Sequence, residues 1–210
     1  MNQRRPLRVA VAGFGPFPGV PRNPSATIVR TIAKSPRIRA TDALLVTAVF
    51  PTAYAAAKRE LERLLAKNPD AIVLFGVAAR TKHIRVEILA RNRASLFYPD
   101  SVRFVPVERK LIADGAPRLN VRGPAMRLRA AIRDSGAKAE LSINAGSYLC
   151  NAVFYQALAE TAARTPAPLT FFVHVPSPAA GHGKGSLASL IRAGEAAVRA
   201  AISAVSRRDG

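Results

Sequence analysis

The sequence is poor in sulfur, in acid and in large aromatic side chains. Its 210 residues include one cysteine, no tryptophan, three histidines and 13 acidic side chains against 32 basic ones. The single cysteine, Cys150, excludes an internal disulfide and suits a reducing compartment, so a cytoplasmic location is expected. One cysteine and three histidines are too few donors for a structural zinc site, and the Asp and Glu residues show no metal-like pairing. No stretch approaches the ~18 uninterrupted apolar residues of a membrane span. Met1 to Arg8 has the basic flavour of a signal peptide. The apolar run after it is short and soon meets Gly-Pro turns, so it reads as the first core strand. No cofactor is implied. Gly181-His182-Gly183-Lys184-Gly185-Ser186 lacks phosphate-loop spacing and does not follow directly from a strand, so it reads as a flexible basic loop.

The acid deficit leaves a formal charge of +19, unevenly spread. Residues 1–40 hold eight basic and no acidic side chains, residues 76–133 hold thirteen against four, and these two segments supply +17 of the total. Such a field attracts anions and binds nucleic acid non-specifically. No zinc-finger spacing or RNP-like aromatic strand accompanies it, and the bases are scattered rather than clustered. An Arg-rich proteome from a GC-rich genome is the alternative explanation.

Nearly half the residues are apolar, and the length suits one well-buried domain spanning 1–210, without repeat or linker. Apolar runs at 7–12, 42–50, 71–77, 84–90, 139–144 and 169–175 read as strands, several too apolar for one-sided exposure. Segments 24–34, 53–67, 124–135, 149–163 and 186–206 have helical spacing, and Pro24 suits a helix start. Their alternation argues an α/β fold, a three-layer α/β/α sandwich with a mostly parallel central sheet. Residues 91–123, with Pro99, Pro106, Pro117 and the alternation Val102-Arg103-Phe104-Val105, read as an irregular excursion or small hairpin near the site.

By frequency alone a lone cysteine is a small buried hydrophobe. Cys150, however, follows a β-branched run and a small-residue turn, and opens a helical pattern. That places its sulfur at a helix N-terminus, where unpaired amides and the helix dipole favour thiolate. A second candidate, His174, ends the run Leu169-Thr170-Phe171-Phe172-Val173-His174-Val175-Pro176, and a strand there delivers it to the C-terminal sheet edge where ligands bind. A single cysteine with a distant histidine fits a thiol hydrolase. His83, beside Lys82, is expected to be solvent-exposed.

Three segments carry a family resemblance. Ala145 to Tyr155 (AGSYLCNAVFY) resembles the nucleophile segment T/N-A-G-T/S-F/Y-V/L-C-N-x-x-F-Y of the pyroglutamyl peptidase I (pyrrolidone-carboxyl peptidase) family. Ala12 to Gly19 followed by Asn23-Pro24-Ser25 is similar to its T-G-F-x-P-F-G-G and N-P-S elements, and Phe172 to Pro176 to its F-I-H-I-P motif. The three occur in the family's order across nearly the whole chain. The resemblance implies a phosphorylase/hydrolase-like fold, and a cysteine omega-peptidase that removes N-terminal pyroglutamyl residues from peptides without a cofactor. It also implies that the chain assembles as a homo-oligomer, a tetramer. Glu87 falls at the place of the family's catalytic glutamate, in an I-T-P-E-R context that here reads Ile84-Arg85-Val86-Glu87-Ile88. An active-site Gln of the family is Val77 here, and a family Arg falls on Phe97.

In that reading Cys150 attacks the scissile carbonyl and His174 takes the sulfur proton and returns one to the leaving amine. Glu87 fixes the imidazole tautomer. The backbone N–H of Cys150, with a neighbour, serves as oxyanion donor. Phe14, Phe17 and Tyr148 match the family's slot-lining aromatics, and Asn23 either orders its loop or hydrogen-bonds the lactam. Without the resemblance Glu87 reads as an exposed strand-face carboxylate among arginines, and Phe14 and Phe17 as loop packing. Two other functions remain open: the same thiol chemistry on a different N-terminal acyl or amide group, and a non-enzymatic, basic polyanion-binding protein.

Overall fold

The computed structural model describes residues 5–17, 19–177 and 186–208; residues 181–185 of the basic glycine-rich segment lie outside them. The elements run β1 (Arg8–Phe14), α1 (Pro24–Ile32), α2 (Pro36–Arg39), β2 (Leu44–Phe50), α3 (Tyr54–Leu65), β3 (Ala71–Val77), β4 (Ile84–Glu87), β5 (Leu89–Arg91), β6 (Arg118–Asn120), α4 (Ala125–Asp134), β7 (Ala139–Ser142), α5 (Leu149–Glu160), β8 (Leu169–Val175) and α6 (Leu187–Arg208).

Side chains alternate across a strand, and here both faces are apolar, so each face must be covered. In β1, Val9 and Val11 turn to one face of the sheet, where α1 (Ile28, Ile32) packs over β1 and β3, α6 (Ala197 to Val205) over β3 and β8, and α4 (Leu128, Ile132) over β4 and β7. Ala10, Ala12 and Phe14 turn to the other, against Leu61 and Leu64 of α3 and Val153, Phe154 and Leu158 of α5. The result is the three-layer sandwich expected from the alternation of elements. Each fully buried Leu, Ile or Phe contributes about 1.5–3 kcal/mol, so these two cores are the main source of stability. At the first helix Asn23 is the N-cap, its side chain accepting from Ser25 N, and Pro24 stands at N1, where its missing N–H costs nothing.

The sheet order is β2-β1-β3-β8-β4-β7. β2, β1, β3 and β8 are mutually parallel, whereas β4 is antiparallel to β8 and parallel to β7. The expected 84–90 strand is two strands. At Ile88 the chain changes partners: Ile88 N donates to Ser142 O of β7, and its own carbonyl accepts from Val121 N beyond β6. β5 then pairs antiparallel with β6. The excursion anticipated around 91–123 is therefore closed by a hairpin at its two ends, not by one at Val102 to Val105. That stretch instead wraps the buried Asp100, whose carboxylate accepts from the backbone N–H groups of Tyr54, Val102 and Phe104. The short helix α2 and strand β6, at four and three residues, gave no periodic signal.

Asn92 holds the excursion in place. Its Nδ2 donates to Ile112 O and Gly115 O, and its Oδ1 accepts from Leu111 N and Ile112 N. Asn92→Ala leaves those backbone groups unpaired, and an unpaired buried polar group costs about 1–3 kcal/mol. In native-state hydrogen exchange we expect amides 111–115 to lose protection while those of β3 and β8 keep theirs.

Candidate active site

Register brings the candidate residues together. His174 follows Phe172 by two, so it shares the sheet face covered by α5, and its parallel partner on β3 is Gly76. On the other side β4 runs antiparallel, with Arg85 opposite His174 and Glu87 opposite Phe172. Arg85 and Glu87 therefore fall on the face of His174, and Glu87 is its diagonal neighbour. The Nδ1 of His174 and Oε1 of Glu87 are 2.8 Å apart. Glu87 is wholly buried and His174 is 3% exposed.

Cys150 lies in the first turn of α5, half-buried in the cleft. A Cβ on Gly76 would stand 2.8 Å from its sulfur and 2.9 Å from the Phe172 ring, so the thiol reaches the sheet only because residue 76 has no side chain. The N-cap residue Tyr148 makes no side-chain hydrogen bond to α5, and among the described residues the first amides of the helix are left for a ligand or an oxyanion. Asn151, fully buried, locks that turn to the end of β5. Its Oδ1 accepts from Arg91 N at 2.9 Å, and its Nδ2 donates to Arg91 O and Arg93 O, both at 2.8 Å.

Arg85 joins the two halves. Its Nε lies 3.1 Å and its Nη2 3.0 Å from Glu87 Oε1, and Nη2 also donates to Asn144 O in the loop leading to α5. Burial raises the Glu87 pKa. The hydrogen bond and charge of His174 oppose it, Ser142 and Arg85 add to them, and the carboxyl ends below its ordinary 4.5. Ser142 lies beside Glu87 in the paired strand, yet Oε2 makes no hydrogen bond among the described residues. For His174, burial outweighs the upward pull of Glu87, Arg85 pushes the same way as burial, and the pKa ends below 6.5. At pH 7 the imidazole is neutral. Because an ionised carboxylate only accepts, Nδ1 carries the hydrogen and Nε2 keeps the lone pair of a general base.

Burial pushes the Cys150 thiol up to about 12, helped by the charge of Glu87; its own N–H and Arg85 lower it by less. This corrects the expectation that the helix N-terminus favours a thiolate here: desolvation outweighs it. Among the described residues no hydrogen bond joins Sγ to His174, whose ring bonds to Glu87. The resting pair is thus a neutral thiol and a neutral base.

The cleft over these residues has a volume of about 530 Å³, within the usual range for small-molecule sites. Phe14, Phe17, Asn23 and Tyr148 all line it, with Val77, Cys150 and His174. Phe14 is 3% exposed and packs edge-on to Phe50, so it is core and wall at once. Asn23 has both polar atoms engaged, Nδ2 on Gly15 O and Oδ1 on Ser25, so it orders its loop. Tyr148 donates through its hydroxyl to Pro99 O and stacks edge-on with Tyr54, a contact that ties the excursion to the cleft. Phe97 is 78% exposed and is not among the lining residues. His83 is half-buried rather than solvent-exposed, 3.3 Å from Glu140. A larger concavity of about 730 Å³ runs between α2, α4 and α6 and contains none of the candidates.

Sequence reading missed Gly76, Arg85 and Asn151. Asn151 carried a usable signal, since asparagine inside an apolar helix is unfavourable unless its side chain is employed. The raised thiol pKa predicts that alkylation of Cys150 by iodoacetamide is slower at pH 8 than that of a free thiol by about tenfold or more. Its rate should keep rising with pH beyond 9, where free cysteine levels off; a plateau below pH 9 would contradict the electrostatics described.

The family model for pyroglutamyl peptidase matches residues 7–208. A pyrrolidone-carboxylate peptidase of Streptococcus suis is 30% identical over 171 residues, covering 81% of this chain and 78% of its own. One of Pyrococcus furiosus is 31% identical over 172 residues and 81% of each chain. Among solved structures, the pyrrolidone carboxyl peptidase of Thermococcus litoralis superposes with a TM-score of 0.88 at 26% identity, over 96% of both chains. The pyroglutamyl peptidase I of Bacillus amyloliquefaciens does so with 0.81 at 29%, over 93% of this chain and 97% of that one. A cleft lined by a cysteine and a histidine, the histidine bonded from behind to a buried glutamate, thus sits in a chain matched almost end to end, and the protein belongs to the pyroglutamyl peptidase family.

Proposed function

We propose that this protein is a cysteine peptidase that hydrolyses the bond following an N-terminal pyroglutamyl residue, using Cys150, His174 and Glu87. The observation that carries the reading is the buried Glu87–His174 hydrogen bond at 2.8 Å, in the cleft that Cys150 also lines. Its ground is membership of the family and the likeness to pyrrolidone-carboxylate peptidases. Residues 1–210 act as a single domain on N-terminally blocked peptides. Among the described residues no helix is long and apolar enough to cross a membrane, which suits the cytoplasmic location we favour.

In this mechanism the lactam ring enters the apolar wall of Phe14, Phe17 and Tyr148, and its acyl carbon approaches Sγ. As the S–C bond forms, His174 Nε2 removes the thiol proton, and Glu87 stabilises the imidazolium through Nδ1–H. The oxyanion falls at the start of α5, within reach of the Cys150 N–H. Collapse of the adduct breaks the C–N bond while the imidazolium passes its proton to the departing amine, leaving a thioester. Water, activated by the same Nε2, releases pyroglutamate and restores the thiol. In this scheme the thiol is not ionised in advance; its proton moves to Nε2 as the S–C bond forms, so the new bond offsets the unfavourable transfer.

One observation favours a second reading. Val77 lines the cleft where the family has Gln, so a polar contact to the acyl group is missing and a different N-terminal acyl or amide group could fit. The same experiment separates the two. Release of a fluorogenic amine from an L-pyroglutamyl amide should be abolished by Cys150→Ser. It should fall about 10²–10⁴-fold in Glu87→Gln, with the variant still folded, because the tautomer is no longer fixed. Turnover of a pivaloyl or acetyl amide in preference to the pyroglutamyl one would support the second reading.

A further inference from the structure

We propose that the cleft selects peptides with a carboxylate next to the scissile bond on the leaving side, held by Arg80 with Arg85 beside it. The proposal rests on the pyroglutamyl-peptidase reading and names the peptides that site prefers. A pyroglutamyl ring is neutral, so it gives cations in the cleft nothing to pair with. Yet of the described residues lining the cleft, the two with a permanent charge are both arginines, and none is a carboxylate.

Arg80 is exposed and has no ion pair or hydrogen bond within the described protein. Its backbone is nevertheless fixed. Ala78 N donates to Val175 O, one residue beyond His174, and both Thr81 N and Thr81 Oγ1 donate to Ala78 O at 3.0 Å. The guanidinium thus rises from a stapled turn on the rim. Arg85 spends Nε and Nη2 on Glu87 and Asn144, while Nη1 makes no hydrogen bond among the described residues.

The acids close by are already engaged. Glu87 is sealed under His174 and Arg85. Asp100 is 3% exposed and accepts from three backbone N–H groups. Glu140 pairs with His83 and Lys138. Among the described residues no carboxylate competes for Arg80, and the +19 charge of the chain raises the local concentration of anionic peptides. Two kinds of peptide supply the same chemistry: one with an acidic first residue after pyroglutamate, and a dipeptide whose own C-terminus is free.

The test compares kcat/KM at low salt for pyroglutamyl-Glu-amide, pyroglutamyl-Gln-amide, pyroglutamyl-Lys-amide, pyroglutamyl-Ala-amide and pyroglutamyl-Ala with a free carboxylate. We expect the Glu peptide to exceed the Gln peptide by about two- to fivefold, the upper range of an exposed ion pair, mostly through KM. The Lys peptide should be poorest. The advantage should shrink below about twofold in 0.5 M salt, and Arg80→Glu should reverse the order of Glu and Lys. The two alanyl substrates show whether a terminal carboxylate serves as well as a side chain. Equal kcat/KM across the charge series, or a ranking untouched by Arg80→Glu, overturns the proposal. Calorimetric binding of the same peptides to Cys150→Ala reads the ranking without turnover. If no pyroglutamyl peptide is cleaved but the ranking persists, the anion site stands and the activity reading falls; no ranking there sinks the anion site.

Discussion

The hydrogen bond between His174 and the buried carboxylate of Glu87 is the interaction on which the site depends. An ionised carboxylate with no exposure is expensive unless it is paired, so its partners must be in place whenever the chain is folded. The topology meets this condition by inserting β4 antiparallel to β8, which sets Arg85 across from His174 and Glu87 on the diagonal. Had β4 continued the parallel sheet, the same residues would face different neighbours. Arg85 then extends the pairing to Asn144, and Asn151 secures the turn of α5 that bears Cys150. One buried charge thus disciplines two strands, a loop and a helix.

The same burial sets the chemistry. It keeps His174 neutral and Cys150 protonated, against the pull of Glu87 on the first and of the α5 amides on the second. A thiol in this state is protected from adventitious alkylation and oxidation, because the thiolate is the reactive form. Under the proposed mechanism, reaction requires a carbonyl to enter the cleft and a base whose free nitrogen is already available. The activating event would therefore be substrate binding, which brings sulfur, carbonyl and Nε2 together, and not prior ionisation.

Much of this was legible in the sequence. The long helices α1, α3, α4, α5 and α6 declare themselves through helical spacing, and the core strands through continuous apolar runs. Cys150, His174 and Glu87 were found from a turn before a helix, a strand end and a motif offset. What stayed hidden depends on tertiary placement. The strand direction of β4 is set by where the chain emerges after β3. The break at Ile88 follows from a change of hydrogen-bonding partner from β7 to the segment after β6. The role of Gly76 exists only because a sulfur from α5 descends onto it. The thiol pKa was misjudged for a related reason: a helix N-terminus can be seen in sequence, but desolvation cannot.

The most direct test of this account is the protonation state of His174 in the free enzyme, followed by the imidazole nitrogen NMR shifts from pH 4 to pH 9. The account predicts a neutral ring at pH 7 with the hydrogen on Nδ1, titrating below 6.5 and lower still in Glu87→Gln, where the upward pull on its pKa is removed. An imidazolium persisting at pH 7 would mean that the resting site is a thiolate–imidazolium pair, and would contradict the claim that burial keeps both groups neutral.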